Sequence, residues 1–261
     1  MSVQEALAEG HLAEALRLQT LVIADRPTPS AQLRLAELHL VAGQLREAWD
    51  TVSAIASADP AWPAFRRSWR RLIRAANMRS RGYRSLHPLS VDLPPHARHR
   101  LALDRRLLSG DHDVASRHAD AADRVSPELH GYVDGQEFTG LRDLDDRFAS
   151  VLEVFFGKSY VVLPLERLNR IRLLPVVGVA DSVYRPAELR SIDGQVWRCV
   201  LPLTYPYSHE FGNFALGYET DCTENDSTAV TATGARVWYF GENEGPLSEC
   251  RQIDLRVAGD A

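Results

Sequence analysis

Lysine is almost missing from this chain: of its 30 basic residues Lys158 alone is not arginine, a bias that a GC-rich genome explains as readily as a binding duty. Cysteine is nearly as scarce. Cys199, Cys222 and Cys250 lie far apart, without the short spacings of zinc sites or redox motifs, and read as unpaired. No uncharged apolar run approaches the roughly 18 residues of a membrane span. Met1 to Gly10 holds two glutamates and no basic residue, which argues against a secretory signal. A cytoplasmic protein without a membrane segment is expected. No Ser/His/Asp or Cys/His arrangement has an informative spacing, so no catalytic, cofactor-binding or metal-binding residue is assigned and no enzyme activity is expected.

What is present suits an ordinary globular chain. The 261 residues are 45% hydrophobic and 25% charged, enough for one large domain or two ordinary ones. The net charge of -5 conceals an asymmetry. Through Pro127 there are 18 basic and 14 acidic residues, and after it 12 basic and 21 acidic, so the two halves are +4 and -9 and attract each other.

The first half repeats. Gly10, Gly43, Asn77 and Gly110 are separated by 33, 34 and 33 residues, and Pro27, Pro60, Pro94 and Pro127 by the same intervals. Leu12, Ala15, Leu16 and Val22 become Leu45, Ala48, Trp49 and Ile55 one unit on, and the pattern weakens in the third and fourth units. A glycine or asparagine allows the left-handed turn of a helical hairpin, a proline stops the second helix, and the small residue five positions later lets the helices approach. This reads as a tetratricopeptide-like array of four helix pairs, the repeat of about 34 residues, over residues 1–130. Gly82 and Pro88 should shorten or distort the third pair.

Stacked helix pairs expose an extended surface that binds proteins. Its most distinctive stretch is the helix predicted from Trp62 to Ala76. Phe65, Trp69, Leu72, Ile73 and Ala76 form its apolar face, and Arg66, Arg67, Arg70, Arg71 and Arg74 cover the rest. Arg79, Arg81 and Arg84 follow, with no acidic residue from Ala61 to Val91. The five arginines are the candidate partner-binding residues, for an acidic protein or for phosphates; the plainer reading is a solvated face or one docked on the acidic half.

The second half, residues 131–261, should be mostly β, so that the whole chain is α+β. Gly131 to Gly135 reads as a linker. Leu144, Phe148, Val151, Leu152 and Phe155 mark a helical face, predicting a leading helix from Leu141 to Phe155 that stops at Gly157. Six strands are expected, at Tyr160–Leu165, Arg167–Leu174, Glu188–Ile192, Val196–Leu203, Ala235–Phe240 and Cys250–Val257. Asp193-Gly194 signals a hairpin. Pro202 and Pro206 argue that the strand before them lies at an edge. Gly157-Lys158-Ser159 lacks the loop and preceding strand of a phosphate-binding motif and reads as a helix-to-strand turn. Asp143, Asp145 and Asp146 beside Arg142 and Arg147 suit capping and ion pairing better than a metal.

Taken in order, Asp145-Asp146-Arg147, Val151-Leu152-Glu153, Gly157, Tyr160, Leu163-Pro164-Leu165-Glu166-Arg167, Ile171, Tyr184-Arg185-Pro186-Ala187, Asp193-Gly194, Tyr205-Pro206 and Leu216-Gly217 resemble the ImpE/TagJ (SciE-type) accessory proteins of bacterial type VI secretion systems. The likeness spans nearly the whole chain, and departs at Tyr184 and across Tyr218 to Cys222. It implies a non-enzymatic adaptor, associated with virulence machinery, whose partners are the small sheath subunit and in some systems the ClpV-type AAA+ ATPase. The residues themselves leave open an unrelated repeat scaffold or co-chaperone, and a nucleic-acid binder using Arg66 to Arg84.

Overall fold

A computed structural model describes residues 1–82, 84, 90, 92–223 and 229–257. Its described residues form an α+β chain in which helices precede strands. Seven α-helices come first: α1 (Val3–Ala8), α2 (Leu12–Asp25), α3 (Pro29–Val41), α4 (Leu45–Ala54), α5 (Trp62–Ser80), α6 (Pro95–Leu108) and α7 (His112–Asp123). Local chemistry sets several of their ends. Ser2 and Glu5 form a reciprocal capping box at α1, and the Thr28 hydroxyl accepts the Ala31 N–H ahead of Pro29 in the first turn of α3.

Gly10, Gly43 and Gly110 turn α1 into α2, α3 into α4 and α6 into α7 with φ of +78°, +70° and +76°, a conformation that glycine adopts without penalty. Five residues beyond each, Ala15, Ala48 and Ala115 are fully buried between helices. The third unit departs from the period. Asn77 lies inside α5, which continues to Ser80, and the left-handed turn falls at Gly82 instead. Pro88, expected to distort that unit, lies outside the described residues. Helices α1 to α4 each pack on the next in sequence and α5 also packs on the strands Val151–Phe156 and Ser159–Pro164, whereas α6 and α7 pack mainly on each other.

The strands begin at once after the helices. Strands β1 (Leu129–Val133), β2 (Gln136–Thr139), β4 (Val151–Phe156), β5 (Ser159–Pro164), β6 (Leu168–Leu173), β7 (Tyr184–Ser191), β8 (Val196–Pro202) and β13 (Gln252–Val257) make one antiparallel sheet, ordered β2-β1-β13-β6-β7-β8-β4-β5. Three more, β3 (Leu141–Asp143), β11 (Val237–Phe240) and β12 (Asn243–Pro246), form a second sheet, and β9 (Thr220–Thr223) with β10 (Thr231–Gly234) a hairpin. All six expected strands exist.

Four expectations are corrected. Residues 131–135 are no linker: they hold most of β1 and the tight turn into β2. The leading helix does not form; Leu141–Asp143 is β3, Val151–Phe156 is β4, and the chain between them turns. A step of four residues keeps one face in a strand as well as in a helix, so Val151 and Phe155 met the helical pattern while pointing to one side of a sheet. Gly157-Lys158-Ser159 accordingly opens from a strand, and it joins β4 to β5 as a hairpin with Gly157 at φ +59°. Finally β8 is interior, between β7 and β4, and Pro202 is tolerated because it is the last residue of the strand.

Both faces of β4 and β5 are buried, and their alternation divides the core. Val151, Phe155, Tyr160 and Val162 join Ala36, Leu40, Ile73 and Ala76 of the helices in one apolar cluster. Leu152, Val154, Val161 and Leu163 face a second cluster with Trp238, Leu189 and Ile253. One apolar cluster thus draws on both 1–130 and 131–261.

Candidate interaction site

Glu153 shares the face of β4 that carries Val151 and Phe155, and this alternation aims a carboxylate at the helices. Arg79, on the last turn of α5, meets it there. The guanidinium donates from Nε to Oε1 at 2.8 Å and from Nη2 to Oε2 at 2.7 Å, and Nη2 also donates to the Thr204 carbonyl at 2.7 Å. Arg236 approaches the same carboxylate and donates from Nη1 to Asp143 Oδ2 at 3.0 Å. Tyr160 donates to Glu153 at 2.5 Å, and Tyr205 and Trp238 donate to Asp143 at 2.8 and 2.9 Å. Arg236 also lies over the rings of Phe148 and Tyr205.

This chain of charges is sealed from water. Burial alone would raise the Glu153 carboxyl, but Arg79 and Arg236 outweigh it and hold the group at about 2. Asp143 goes the other way: burial pushes it up to about 6 against the single guanidinium of Arg236. Burial and Glu153 raise the Tyr160 hydroxyl well above its ordinary value. The remaining carboxylates of the turn are engaged too. Asp145 binds Arg147 and accepts the Ala232 N–H at 2.9 Å, and Asp146 binds Arg142 and accepts the Val230 N–H at 2.7 Å. They pair with arginines as the sequence suggested, though on a turn between strands and not at a helix start.

A second joint is made by residues 205–211. Tyr207 has a left-handed backbone, φ +67°, and its hydroxyl donates to the Ser80 carbonyl at 3.4 Å. The His209 ring rests on Gly43 so closely that a Cβ there would lie 2.1 Å from it. Burial lowers the affinity of His209 for a proton. In α6, His96 is held between Ser150 Oγ at 2.9 Å and Glu166 Oε1 at 2.7 Å.

Between helices α3 and α5 and strands β7 and β8 lies an open cleft of about 440 Å³. Phe65, Trp69 and Leu72 of α5 form one wall, Tyr184 and Pro186 of β7 and Val200 of β8 another, and residues of α3 and the turn at Val177 close it. Phe65 remains 41% exposed and Val177 92% exposed, so apolar surface continues past the mouth.

The five arginines singled out from the sequence are distributed around α5. Arg70 donates to Ser53 Oγ at 2.8 and 3.2 Å and, with Arg74, stacks over Trp49 at about 5 Å. Arg67 and Arg71 are exposed and Arg66 half-buried, and none of the three makes an ion pair among the described residues. The arginines that follow are not an open stripe: Arg79 is buried on Glu153, and Arg84 pairs with Asp104 at 2.5 Å. Of the cleft, sequence reasoning identified the α5 wall as an apolar face but not the strand wall, because Tyr184, Pro186 and Val200 reach α5 only through tertiary packing.

Residues 135–254 match the family described as ImpE protein. Over 263 aligned positions the chain is 25% identical to a type VI secretion system accessory component, TagJ of Pseudomonas aeruginosa, covering 98% of this chain and 91% of that protein. The fold is that of a Vibrio parahaemolyticus protein solved by X-ray crystallography, with a TM-score of 0.87, 23% identity and 97% of each chain covered.

Proposed function

We propose that this chain, which belongs with the ImpE proteins, is a non-enzymatic adaptor of a type VI secretion apparatus that docks a sheath component. The observation that carries the accessory role is the likeness to an accessory component along 98% of the chain. The resemblance implies the small sheath subunit as the partner and a ClpV-type AAA+ ATPase as a second one. The helix pairs turning at Gly10, Gly43 and Gly110 act as tetratricopeptide-like repeats, and stacked helices of this kind offer the extended surface that such docking needs. Arg67 and Arg71 contribute orientation and association rate more than affinity, as exposed charges at a rim do.

An adaptor also suits the fate of the acidic and basic groups at the centre. Glu153, Asp143, Arg79 and Arg236 are buried against one another, so their charge is used to hold helices on strands.

The test uses the full chain. Affinity-tagged protein expressed in cells with an intact secretion apparatus should co-purify the small sheath subunit, and the purified pair should associate without other components. Failure to enrich any component of the apparatus over an untagged control overturns the proposal.

A further inference from the structure

We propose that the cleft between α5 and strands β7 and β8 is a docking groove for an amphipathic segment of a partner protein whose apolar side chains are flanked by carboxylates. The inference takes from the adaptor reading only that the occupant is a protein.

The apolar requirement comes from the walls. Phe65, Trp69 and Leu72 recur at steps of four and three along α5 and face Tyr184 and Val200 across the cleft. Because the mouth is open and apolar surface runs on through exposed Phe65 and Val177, the site suits a row of side chains from one segment better than an enclosed small molecule.

The charge requirement comes from what is already satisfied. The lining holds two carboxylates, Glu37 and Asp181. Glu37 pairs with Arg34 at 3.3 Å and accepts the Val179 N–H at 3.4 Å. Asp181 accepts the N–H groups of Val177 and Gly178 at 2.8 and 3.2 Å. Glu37 thus has a cation of its own, and Asp181 is engaged by backbone donors through Oδ2. Two arginines of α5 beside the cleft are not matched in this way. With about 100° between successive residues of a helix, Arg66 and Arg71 fall on opposite flanks of the Phe65–Ser68–Trp69–Leu72 stripe, and neither makes an ion pair among the described residues. An occupant with carboxylates on both sides of its apolar row completes both flanks.

The test is fluorescence anisotropy on the full-length protein. The probes are a fluorescein-labelled helical peptide of about 16 residues with leucines at i, i+3, i+4 and i+7 and glutamates between them, the same peptide with lysines for the glutamates, and labelled oligothymidine. The glutamate peptide should bind about tenfold or more tightly than the lysine peptide. Ser68→Trp, which fills the cleft from an exposed position, and the double change Arg66→Glu with Arg71→Glu should each weaken it about tenfold, with unfolding temperatures unchanged. No binding, equal binding of the lysine peptide, preference for oligothymidine, or indifference to Ser68→Trp overturns the proposal. The same variants in co-purification separate the two readings. If wild type and Ser68→Trp capture the apparatus equally, the groove falls and the adaptor stands; if wild type captures nothing, the adaptor reading falls and the peptide data judge the groove.

Discussion

Arg79 and Glu153, 74 residues apart in sequence, meet in two parallel hydrogen bonds inside the protein. Each brings a charge that could not remain buried alone, so the pair fixes where α5 lies on β4. Removing one partner of a buried pair costs about 3–5 kcal/mol when the other charge is left uncompensated, but Glu153 would keep Arg236 and the Tyr160 hydroxyl. Arg79→Ala should therefore lower the free energy of unfolding by less than that, about 1–3 kcal/mol for the lost hydrogen bonds, read from urea denaturation. Arg79→Lys should lose less, keeping the charge but not the fork that meets both oxygens.

The same pair sets a dependence on pH. Folding holds Glu153 at about 2, against 4.5 for an ordinary glutamate. The unfolded chain therefore takes up this proton first as the pH falls. The resulting stability is complete above about 4.5 and is lost as the pH approaches about 2. Glu153→Gln removes it at every pH. The stability gap between wild type and variant should thus narrow from about pH 5 to about pH 3; a gap that stays constant over that range would show that the carboxylate does not ionise as described.

The two halves should not fold alone. Fragments 1–127 and 131–261 would each expose half of the cluster joining Ile73 and Ala76 to Phe155 and Tyr160. Each is expected to bind a hydrophobic dye and to lack the dispersed amide spectrum of the full chain. Limited proteolysis of the intact protein should spare residues 129–138, which are strand and tight turn; early cleavage there, with two stable fragments, contradicts the shared core.

Two glycines test the joint at residues 205–211. Gly43→Ala and Gly110→Ala both place a Cβ on a left-handed backbone, at φ +70° and +76°, which costs about 1 kcal/mol. Only at Gly43 does the new atom also strike the His209 ring. Gly43→Ala should destabilise more than Gly110→Ala, and adding His209→Ala should erase the difference.

Much of this architecture is legible in the residues, and the failures share a cause. The turns at Gly10, Gly43 and Gly110 were readable because glycine has a local reason to stand there. The strands at Tyr160 and Val196 were readable from β-branched and aromatic composition. By contrast β4 is buried on both faces, so its run of apolar residues carries no alternation, and the neighbouring Leu144 and Phe148 completed a helical spacing by accident. Gly131 suggested flexibility, but a Cβ there would lie 1.8 Å from the Asp254 carbonyl oxygen, so the glycine permits a close approach of strands. The basic stretch of α5 was visible as composition; which of its arginines are spent was not, because Glu153 and Asp104 arrive from elsewhere in the chain.

The β4–β5 hairpin exposes Lys158 next to Gly157, whose position lies within van der Waals reach of the Arg71 side chain. Since every other basic side chain is arginine, amine-reactive reagents can modify no side chain but this one, apart from the terminal amino group. The molecule thus carries a built-in single attachment point close to α5. A photo-crosslinker or dye coupled there would report on whatever approaches that helix, whereas cross-linking surveys that depend on lysine pairs would pass over the rest of the surface unseen.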